Sequence, residues 1–209
     1  MLIVGAKGFA KELLEIFHQK NEIDGLCFYD DVSKDFPDKL YEKFKVLKSE
    51  NQAIKHFEES GKHFTIGIGN PKLRFALYEK FSKLGGLFSS IISQNAEIGS
   101  YAVEIGEGVN ILGGVRISND VKIGIGTMIY YNSVITHDVE IGKFCEISPS
   151  VNILGRVRIG DFTHVATGAI IFPDLNIGNN VIIGAGSVVR ENVPDNTVVA
   201  GIPAQIIRK

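Results

Sequence analysis

The sequence is poor in the features that mark several large classes of protein. It contains only two cysteines, Cys27 and Cys145, which do not suggest a disulfide framework and fit a reducing compartment. It has no apolar run of membrane-spanning length, and its net charge of −2 without a basic run argues against nucleic-acid binding. Met1 leads directly into an apolar strand, so we expect no signal peptide. These absences predict a cytoplasmic protein without membrane insertion or a nucleic-acid partner, and 209 residues fit one or two compact domains.

A six-residue period dominates the C-terminal half of the chain. Every sixth residue from Ile105 to Val189 is isoleucine or valine, and the residue four positions after each is small or aliphatic. A helix would need spacings of three and four. Three six-residue strands instead make a coil of 18 residues, and each strand pairs in parallel with its copy in the next coil. The period therefore predicts a prism-shaped parallel β-helix with stacked inward isoleucines, and it makes Cys145 a core residue.

A second period places one glycine in every 18 residues. Because glycine tolerates left-handed backbone angles, we expect it to form one corner of each coil. The glycines of this series are Gly106, Gly124, Gly142, Gly160 and Gly178.

Residues 1–88 follow a different pattern, in which a short apolar strand, a glycine turn and a helix recur. This alternation predicts a small parallel α/β sheet of Rossmann-like plan. Residues 32–50 are polar and mixed, so we expect a loop with weak structure there. The domain boundary is placed near residue 89, which gives an α/β domain over residues 1–88 and a β-helix with a C-terminal tail over residues 89–209.

Three predicted strand ends in the first domain carry glycine-rich or acidic turns. Ligands bind outside the carboxyl ends of strands in open parallel sheets, and N–H groups at a helix start can hold phosphate. We therefore expect a nucleotide site. The full glycine fingerprint is absent because Ile3 stands where its first glycine belongs, so a plain tight turn stays open as an alternative. The candidate ligands are Gly5, Lys7, Gly8, Phe9, Asp30, Asp31, Gly69, Asn70 and Arg74.

Three of these candidates suggest particular contacts. Asp30 or Asp31 could accept a hydrogen bond from a base or a ribose, whereas Arg74 could pair with phosphate or simply be solvated. In the β-helix, His137 should point outward, and at a corner the adjacent Asp138 could turn and hold its ring. His164 is expected to be an ordinary surface residue.

The chain resembles a known family at several places. The repeated Ile-Gly pairs at residues 123, 141, 159 and 177 resemble those of the hexapeptide-repeat acyltransferases, which form left-handed parallel β-helices. The whole chain is similar to the bacterial nucleotide-amino-sugar N-acetyltransferases, a branch that includes sialic acid O-acetyltransferases. The matching segments are Gly5-Ala6-Lys7-Gly8, Phe28-Tyr29-Asp30-Asp31, Ile68-Gly69-Asn70 with Arg74, Thr136-His137-Asp138 and Gly201-Ile202-Pro203-Ala204.

The resemblance implies roles for particular residues. His137 would be the general base and Asp138 would orient its ring, while the small domain would hold the nucleotide of the sugar. Glu146 stands where many relatives have a second histidine, so its role toward the acceptor sugar or the acyl group is left open. Acetyl-CoA would lie in a groove between two β-helices of a homotrimer, without a metal. The positions that match this groove, or could contact the CoA, are Gly155, Ala185, Gly186, Arg190 and Pro203.

These observations lead to one functional hypothesis and several alternatives. The chain is expected to move an acetyl group from acetyl-CoA to the amine of a nucleotide-linked amino sugar, such as a 4-amino-4,6-dideoxy sugar, for surface glycan synthesis. The base of the nucleotide stays open. An O-acetyltransferase acting on a sialic acid or another sugar shares the motifs, and a non-catalytic scaffold with a nucleotide-sensing domain is a further alternative. A zinc site like that of γ-type carbonic anhydrases would need three histidines, whereas His137 and His164 are the two in the β-helix.

Overall fold

The computed structural model of the protein describes residues 1–33 and 35–208. Its contacts divide the chain into two compact units, Met1–Ile91 and Ile92–Lys209, whereas the sequence places the boundary between residues 88 and 89. None of the helices in the described part of the chain is both long enough and apolar enough to cross a membrane.

The N-terminal unit is built on a mostly parallel sheet, as predicted. In chain order its elements are β1 (Leu2–Val4), α1 (Gly8–Gln19), β2 (Cys27–Tyr29), β3 (Lys39–Leu40), β4 (Phe44–Leu47), α2 (Glu50–Ser60), β5 (His63–Ile66), α3 (Pro71–Lys83) and β6 (Leu87–Phe88). The strands are ordered β3-β4-β2-β1-β5-β6, and among these strands of the described residues β3 and β4 are the antiparallel pair. The three residues of β1 are buried because this strand lies inside the sheet with neighbours on both sides.

The loop predicted over residues 32–50 is wrong in part, because residues 39–47 form the hairpin of β3 and β4. Phe44 and Val46 point into the protein while Lys45 between them is exposed, which is the alternation of a half-buried strand. The turn residues Tyr41 and Glu42 have φ values of 51° and 55°. The apolar alternation is only a few residues long and lies among lysines and aspartates, which hid it in the sequence.

The C-terminal unit is the predicted parallel β-helix, in which most strands are two residues long. Its strands, with the preceding β7, are β7 (Ile91–Ile92), β8 (Glu97–Ile98), β9 (Glu104–Ile105), β10 (Asn110–Ile111), β11 (Arg116–Ile117), β12 (Lys122–Ile123), β13 (Met128–Ile129), β14 (Val134–Ile135), β15 (Glu140–Ile141), β16 (Glu146–Ile147), β17 (Asn152–Ile153), β18 (Arg158–Ile159), β19 (His164–Val165), β20 (Ile170–Ile171), β21 (Asn176–Ile177), β22 (Ile182–Ile183), β23 (Val188–Val189), β24 (Val198–Gly201) and β25 (Ala204–Arg208).

Three sheets make the three faces of the prism. Face 1 contains β10, β13, β16, β19, β22 and β24, face 2 contains β8, β11, β14, β17, β20 and β23, and face 3 contains β9, β12, β15, β18 and β21. Each inward residue lies on its copy one coil away, so that Ile129 is in register with Ile111 on one side and Ile147 on the other. These inward residues form one continuous buried cluster along the unit, which stabilises every coil through its neighbours.

Small polar residues at the second inward position satisfy backbone carbonyls of the next coil. Thr127 donates to the Gly142 carbonyl at 2.8 Å and Thr163 to the Gly178 carbonyl at 2.7 Å. Cys145 occupies the same kind of position, with its Sγ 3.1 Å from the Gly160 carbonyl, and it is fully buried. Its predicted place in the core is therefore confirmed.

The reason expected for the periodic glycines is wrong. None of the five has a left-handed φ, and such angles occur two residues later in each coil, as at Gly126 (68°) and Phe144 (51°). A Cβ on Gly124 would instead lie 2.6 Å from the carbonyl carbon of Gly142 in the next coil. The glycines are needed because the coils stack more closely there than a side chain allows.

The tail leaves the six-residue period after Val193 and ends the prism as a hairpin. Strand β24 pairs in parallel with β22 and antiparallel with β25, so the tail adds one further strand to face 1. Pro203 lies in the turn of this hairpin, after a cis peptide bond with Ile202.

Candidate active site

The three strand ends singled out in the N-terminal unit meet around one cavity of about 410 Å³. Because β2, β1 and β5 are adjacent and parallel, the turns that follow them share one edge of the sheet. The predicted ligands that line this cavity are Gly5, Lys7, Gly8, Phe9, Asp30, Asp31 and Gly69. Asn70 and Arg74 are not among its lining residues.

The turn after β1 has a backbone that requires glycine. Gly5 has a φ of 109°, and a Cβ there would lie 2.9 Å from the carbonyl oxygen of Gly67. Helix α1 then begins at Gly8, and its N-cap residue Lys7 makes no side-chain hydrogen bond to the first turn. The start of this helix lines the cavity and has no side-chain cap, which is the arrangement that can hold a phosphate.

The two aspartates after β2 are each held through one carboxylate oxygen. Asp30 Oδ1 accepts from the amides of Val32 and Ser33 at 3.1 and 2.9 Å, which fixes the turn. Asp31 Oδ2 accepts from the Tyr29 hydroxyl at 2.8 Å and from Lys80 Nζ at 3.2 Å. These bonds fix the orientation of both carboxylates, and both residues line the cavity.

Lys80 is a part of this arrangement that the sequence analysis missed. Its ammonium group lies between Asp31 and Glu50, 3.0 Å from the Glu50 carboxylate. Burial alone would lower the pKa of Lys80, but the hydrogen bonds to Glu50 and Asp31 outweigh it and hold that pKa above its usual range. Partial burial alone would raise the pKa of Asp31, but the hydrogen bonds from Tyr29 and Lys80 outweigh it and hold that pKa below its usual range. Burial, together with the bond to Asp31, raises the pKa of Tyr29 to about 12.

Asn70 and Arg74 build the start of α3. The Asn70 side chain accepts from the amide of Leu73 at 3.0 Å and so caps the helix. Arg74 is 1% exposed, and its guanidinium donates to the carbonyl of Gly69, so the alternative of a solvated Arg74 is wrong. In this arrangement Arg74 supports the Gly69 turn at the rim of the cavity.

The second candidate site lies on a corner of the β-helix. His137 Nδ1 is 2.6 Å from Asp138 Oδ2, and both side chains are about half exposed, at 54% and 53%. Adjacent residues of a strand point to opposite faces, but Asp138 has a φ of 60°, a left-handed angle that aspartate tolerates and that turns its carboxylate toward the ring. The corner therefore brings together the two residues predicted to form the catalytic pair.

Gly155 lies against the imidazole from the next coil. A Cβ on Gly155 would come 2.7 Å from Cε1 and 2.8 Å from Nε2 of His137. This residue was predicted to contact acetyl-CoA, and the structure shows in addition that its small size makes room for the ring. His137 also borders an open groove of about 540 Å³ on face 2, which Thr136 and Ser118 help to line.

An ion pair beside this corner escaped the sequence analysis. Arg156 follows Gly155 and forms two hydrogen bonds to Asp174 one coil further, from Nε to Oδ1 at 2.5 Å and from Nη2 to Oδ2 at 2.9 Å. The 18-residue period places Asp138, Arg156 and Asp174 at equivalent positions of successive coils. This spacing could have predicted from the sequence that their charged groups lie close together.

Glu146 and His164 lie side by side on face 1, in register in β16 and β19. His164 Nε2 is 3.1 Å from the hydroxyl of buried Ser148 and 3.7 Å from Glu146 Oε1. His164 is thus a partly buried, hydrogen-bonded residue, and the prediction of an ordinary surface histidine is wrong.

The remaining residues predicted to bind acetyl-CoA lie in the last coils and the tail. Ala185 and Gly186 form an exposed turn in which the Gly186 amide donates to Thr167. Arg190 is exposed and stacks over Phe172, with the guanidinium carbon 5.8 Å from the ring centroid. Across residues 1–33 and 35–208, no three histidine, cysteine or acidic side chains are grouped as metal ligands would be.

Comparisons with known proteins identify the family. The PglD N-terminal domain family matches residues 1–81. A histidine variant of perosamine N-acetyltransferase from Caulobacter crescentus, solved with CoA and GDP-perosamine, is 28% identical with a TM-score of 0.91, over 100% of this chain and 96% of that one. WeeI from Acinetobacter baumannii AYE is 30% identical with a TM-score of 0.88, over 99% of this chain and 98% of WeeI. The chain belongs to the hexapeptide-repeat acetyltransferases.

The fold of this hexapeptide-repeat acetyltransferase is thus a Rossmann-like domain followed by a left-handed parallel β-helix, as predicted. A shorter similarity links it to WbbJ of Escherichia coli (strain K12), described as a lipopolysaccharide biosynthesis O-acetyl transferase. The two are 62% identical over 29 residues, which is 14% of this chain and only 15% of the length of WbbJ.

Proposed function

We propose that this hexapeptide-repeat acetyltransferase transfers the acetyl group of acetyl-CoA to the amine of a nucleotide-linked amino sugar, with His137 as general base. The observation that carries the proposal is the 2.6 Å contact between His137 Nδ1 and Asp138 on an exposed corner of the β-helix. The 28% identical relative holds both CoA and GDP-perosamine, which supports CoA and a nucleotide amino sugar as ligands. A 4-amino-4,6-dideoxy sugar of surface glycans is the acceptor we favour.

The His137–Asp138 contact determines which ring nitrogen can take a proton. An ionised carboxylate only accepts hydrogen bonds, so a neutral imidazole bonded to it through Nδ1 carries its proton there. Nε2 is then left with a free lone pair. Asp138 in this way prepares His137 to accept a proton at Nε2 and stabilises the imidazolium that forms.

The chemistry requires one base and no covalent intermediate on the enzyme. The amine nitrogen attacks the thioester carbonyl and loses a proton to Nε2 of His137, and the resulting tetrahedral centre expels the CoA thiolate, which then takes up a proton. Cys145 is fully buried in the prism, so it does not serve as an acyl carrier and direct transfer is favoured. Gly155, Ala185, Gly186, Arg190 and Pro203 are the proposed contacts of acetyl-CoA, and Glu146 is a proposed contact of the acceptor.

The cavity of the N-terminal unit is the proposed nucleotide site. The uncapped start of α1 suits a phosphate group, and the carboxylates of Asp30 and Asp31 suit hydrogen-bond donors of a ribose or a base. Its volume of about 410 Å³ is in the range of pockets that hold small organic ligands. Phosphate at the turn after β1 and a sugar or base at the aspartates after β2 would use two of the three strand ends, and the third, at Gly69, lines the same cavity.

Transfer to a hydroxyl is the second candidate function. It is favoured by one observation, the 62% identity to a described O-acetyl transferase over 29 residues. The two functions share the His137 base, since a hydroxyl must also lose a proton as it attacks. They differ only in the acceptor.

A substrate panel tests the proposal. UDP-, dTDP- and GDP-linked 4-amino-4,6-dideoxy sugars, together with sialic acids, are incubated with acetyl-CoA while free thiol release is followed. We expect thiol release with an aminosugar nucleotide and a product acetylated on nitrogen, as identified by mass spectrometry and NMR. Transfer only to a sialic acid hydroxyl would favour the second candidate, and absence of acetyl-CoA binding would contradict both.

Replacing His137 tests its role as base. The His137→Gln variant should lose on the order of 10²–10⁴-fold in kcat, the usual contribution of a positioned proton acceptor, while its affinity for acetyl-CoA changes little. His164→Gln is the matched control on the same β-helix and should keep most of the activity. A His137→Gln enzyme that retains more than about a tenth of kcat would contradict the assignment, and a large loss in His164→Gln would move the role to the Glu146–His164 cluster.

A further inference from the structure

The corner that holds the catalytic pair belongs to a column of charged residues. Asp120, Asp138, Arg156 and Asp174 are spaced by 18 residues and all have left-handed φ values, between 59° and 63°. The coils are tied together beside them, because the Arg156 amide donates to the His137 carbonyl at 3.1 Å and the Asp174 amide to the Gly155 carbonyl at 3.0 Å. Equivalent side chains in stacked coils are therefore neighbours, about 4.8 Å apart at the backbone.

Arg156 has an aspartate one coil away on either side but pairs with only one of them. Its guanidinium makes the two-pronged contact with Asp174 described above, at 2.5 and 2.9 Å. Asp138, on the other side, has its Oδ2 on His137 at 2.6 Å. Because both aspartates stand at the same spacing from Arg156, the backbone alone does not decide which of them the arginine takes.

We propose that Asp174 is a positioning residue for the catalytic pair, which holds Arg156 away from Asp138 so that the Asp138 carboxylate remains the partner of His137. The proposal rests on the proposed role of His137 as base. Asp174 touches neither the imidazole nor a reacting atom in this arrangement, and it acts through the arginine. By binding Arg156, Asp174 leaves the Asp138 carboxylate free to bind His137.

The charges around the corner are coupled in the way this role requires. The hydrogen bond from Arg156 lowers the pKa of Asp174, and the nearby His137 adds to that lowering, whereas Asp174 and then Asp138 raise the pKa of Arg156. Both members of the pair are therefore charged at neutral pH. Other charged groups near this corner are Asp120, at the equivalent position of the preceding coil, and Glu97 and Arg116, which line the same groove as His137.

Removing the Asp174 charge should release the arginine toward the catalytic pair. In Asp174→Asn the guanidinium loses its carboxylate partner, and Asp138 becomes the carboxylate within reach. A bidentate contact of Arg156 with Asp138 would compete for the oxygen that now accepts from His137. The ring would lose its orientation, and a cation would lie closer to it, which disfavours the imidazolium.

The experiment is a double-mutant cycle at Arg156 and Asp174. We expect Asp174→Asn to lower kcat by about tenfold or more, to leave KM for acetyl-CoA unchanged, and to move the midpoint of the kcat–pH profile to lower pH. Adding Arg156→Gln to that variant removes the competitor and should restore kcat to within about threefold of wild type. Arg158→Gln is the matched control, because Arg158 faces Glu140 on face 3, at 3.8 Å, away from His137.

A measurement without turnover separates this proposal from the proposed function. The ¹⁵N NMR signals of the His137 ring should show an Nδ1 proton in the wild type and in the double variant, and a loss of that preference in Asp174→Asn. Unchanged kcat and unchanged ring signals in Asp174→Asn would overturn the proposal, as would a double variant as impaired as the single one. The base role fails independently if His137→Gln keeps its activity, and thermal unfolding confirms that each variant is folded.

Discussion

His137 keeps its position because the residue that faces it from the next coil has no side chain. Gly155 has no left-handed φ, so the requirement for glycine there is one of space and not of backbone conformation. The imidazole is exposed and can move, whereas the backbone of the coil is held by hydrogen bonds on both sides. A methyl group at this position should therefore displace the ring and leave the fold intact.

We predict that Gly155→Ala lowers kcat by about tenfold to a hundredfold, because a displacement of about 1 Å at a reacting group has effects of that order. The midpoint of thermal unfolding should change little, since the ring can swing into solvent. Steady-state kinetics and a melting curve measure the two effects. Gly113→Ala is the control, because a Cβ there meets no atom closer than 3.6 Å. Full activity of Gly155→Ala would show that the ring position is not limiting.

Lys80 has a similar supporting role in the N-terminal cavity. Its ammonium group holds Asp31 Oδ2 together with Tyr29, and its charge is in turn balanced by Glu50. We predict that Lys80→Met weakens the affinity for the nucleotide sugar by about tenfold, because the carboxylate loses its orientation, and leaves acetyl-CoA binding unchanged. Isothermal titration with each ligand measures the difference. Lys55→Met, which removes an exposed lysine of α2, is the control, and equal losses for both ligands in Lys80→Met would contradict the prediction.

At the scale of the elements, the close stacking of the coils can be tested by measuring the thermal stability of glycine variants. A Cβ on Gly124 would lie 2.6 Å from the Gly142 carbonyl, which is backbone in a stacked coil and cannot turn aside. We predict that Gly124→Ala destabilises the β-helix by about 2 kcal/mol, as overpacking of a dense interior does, and lowers Tm by roughly 5 °C. Differential scanning calorimetry compares it with Gly113→Ala, which should melt as the wild type does. Equal melting of the two variants would mean that the coils can separate locally.

The strands of the β-helix were predictable because every coil repeats the same sequence pattern. Isoleucines spaced by six residues can all be buried only in a stacked coil. An ambiguous position in one repeat is therefore interpreted from the other repeats. The purpose of the glycines was misread, since the period shows where glycine recurs but not whether φ or close packing demands it. The hairpin of β3 and β4 was missed because its strands, of two and four residues, occur once in the chain and so give no repeat to detect.

The sites were predictable to the extent that they depend on strand ends and neighbouring residues. Adjacent parallel strands must bring Gly5, Asp30 and Gly69 to one edge, and Asp138 needs only a corner to turn toward His137. Lys80 and the Arg156–Asp174 pair were not found, because a contact between residues in different elements depends on side-chain directions that one sequence does not give. Arg74 was misjudged for a related reason, since its burial follows from the packing of α3.

For the whole molecule, the outward residues of the three faces differ in a way that bears on assembly. Face 3 presents alternating charges that pair within the chain, Lys122 with Glu104 at 3.7 Å and Arg158 with Glu140 at 3.8 Å, and such paired ladders suit contact with water. Face 2 has one such pair, Arg116 with Glu97 at 3.2 Å, but faces 1 and 2 also present aliphatic residues, among them Ile182, which is 39% exposed, and Ile170. Association should use faces 1 and 2.

We predict that the chain forms a homotrimer through these two faces. When face 1 of one copy contacts face 2 of the next, the contact is heterologous, and such contacts form a closed ring of three if successive copies are related by a third of a turn. Light scattering at micromolar concentration should give three times the mass of one chain. Ile182→Glu places a charge in the contact and should yield monomers with little acetyl transfer, whereas Lys122→Gln on face 3 should remain trimeric. Ile182 is exposed, so its replacement should not unfold the coil. A monomeric wild type would refute the trimer, and with it the groove between two copies that is proposed to hold acetyl-CoA.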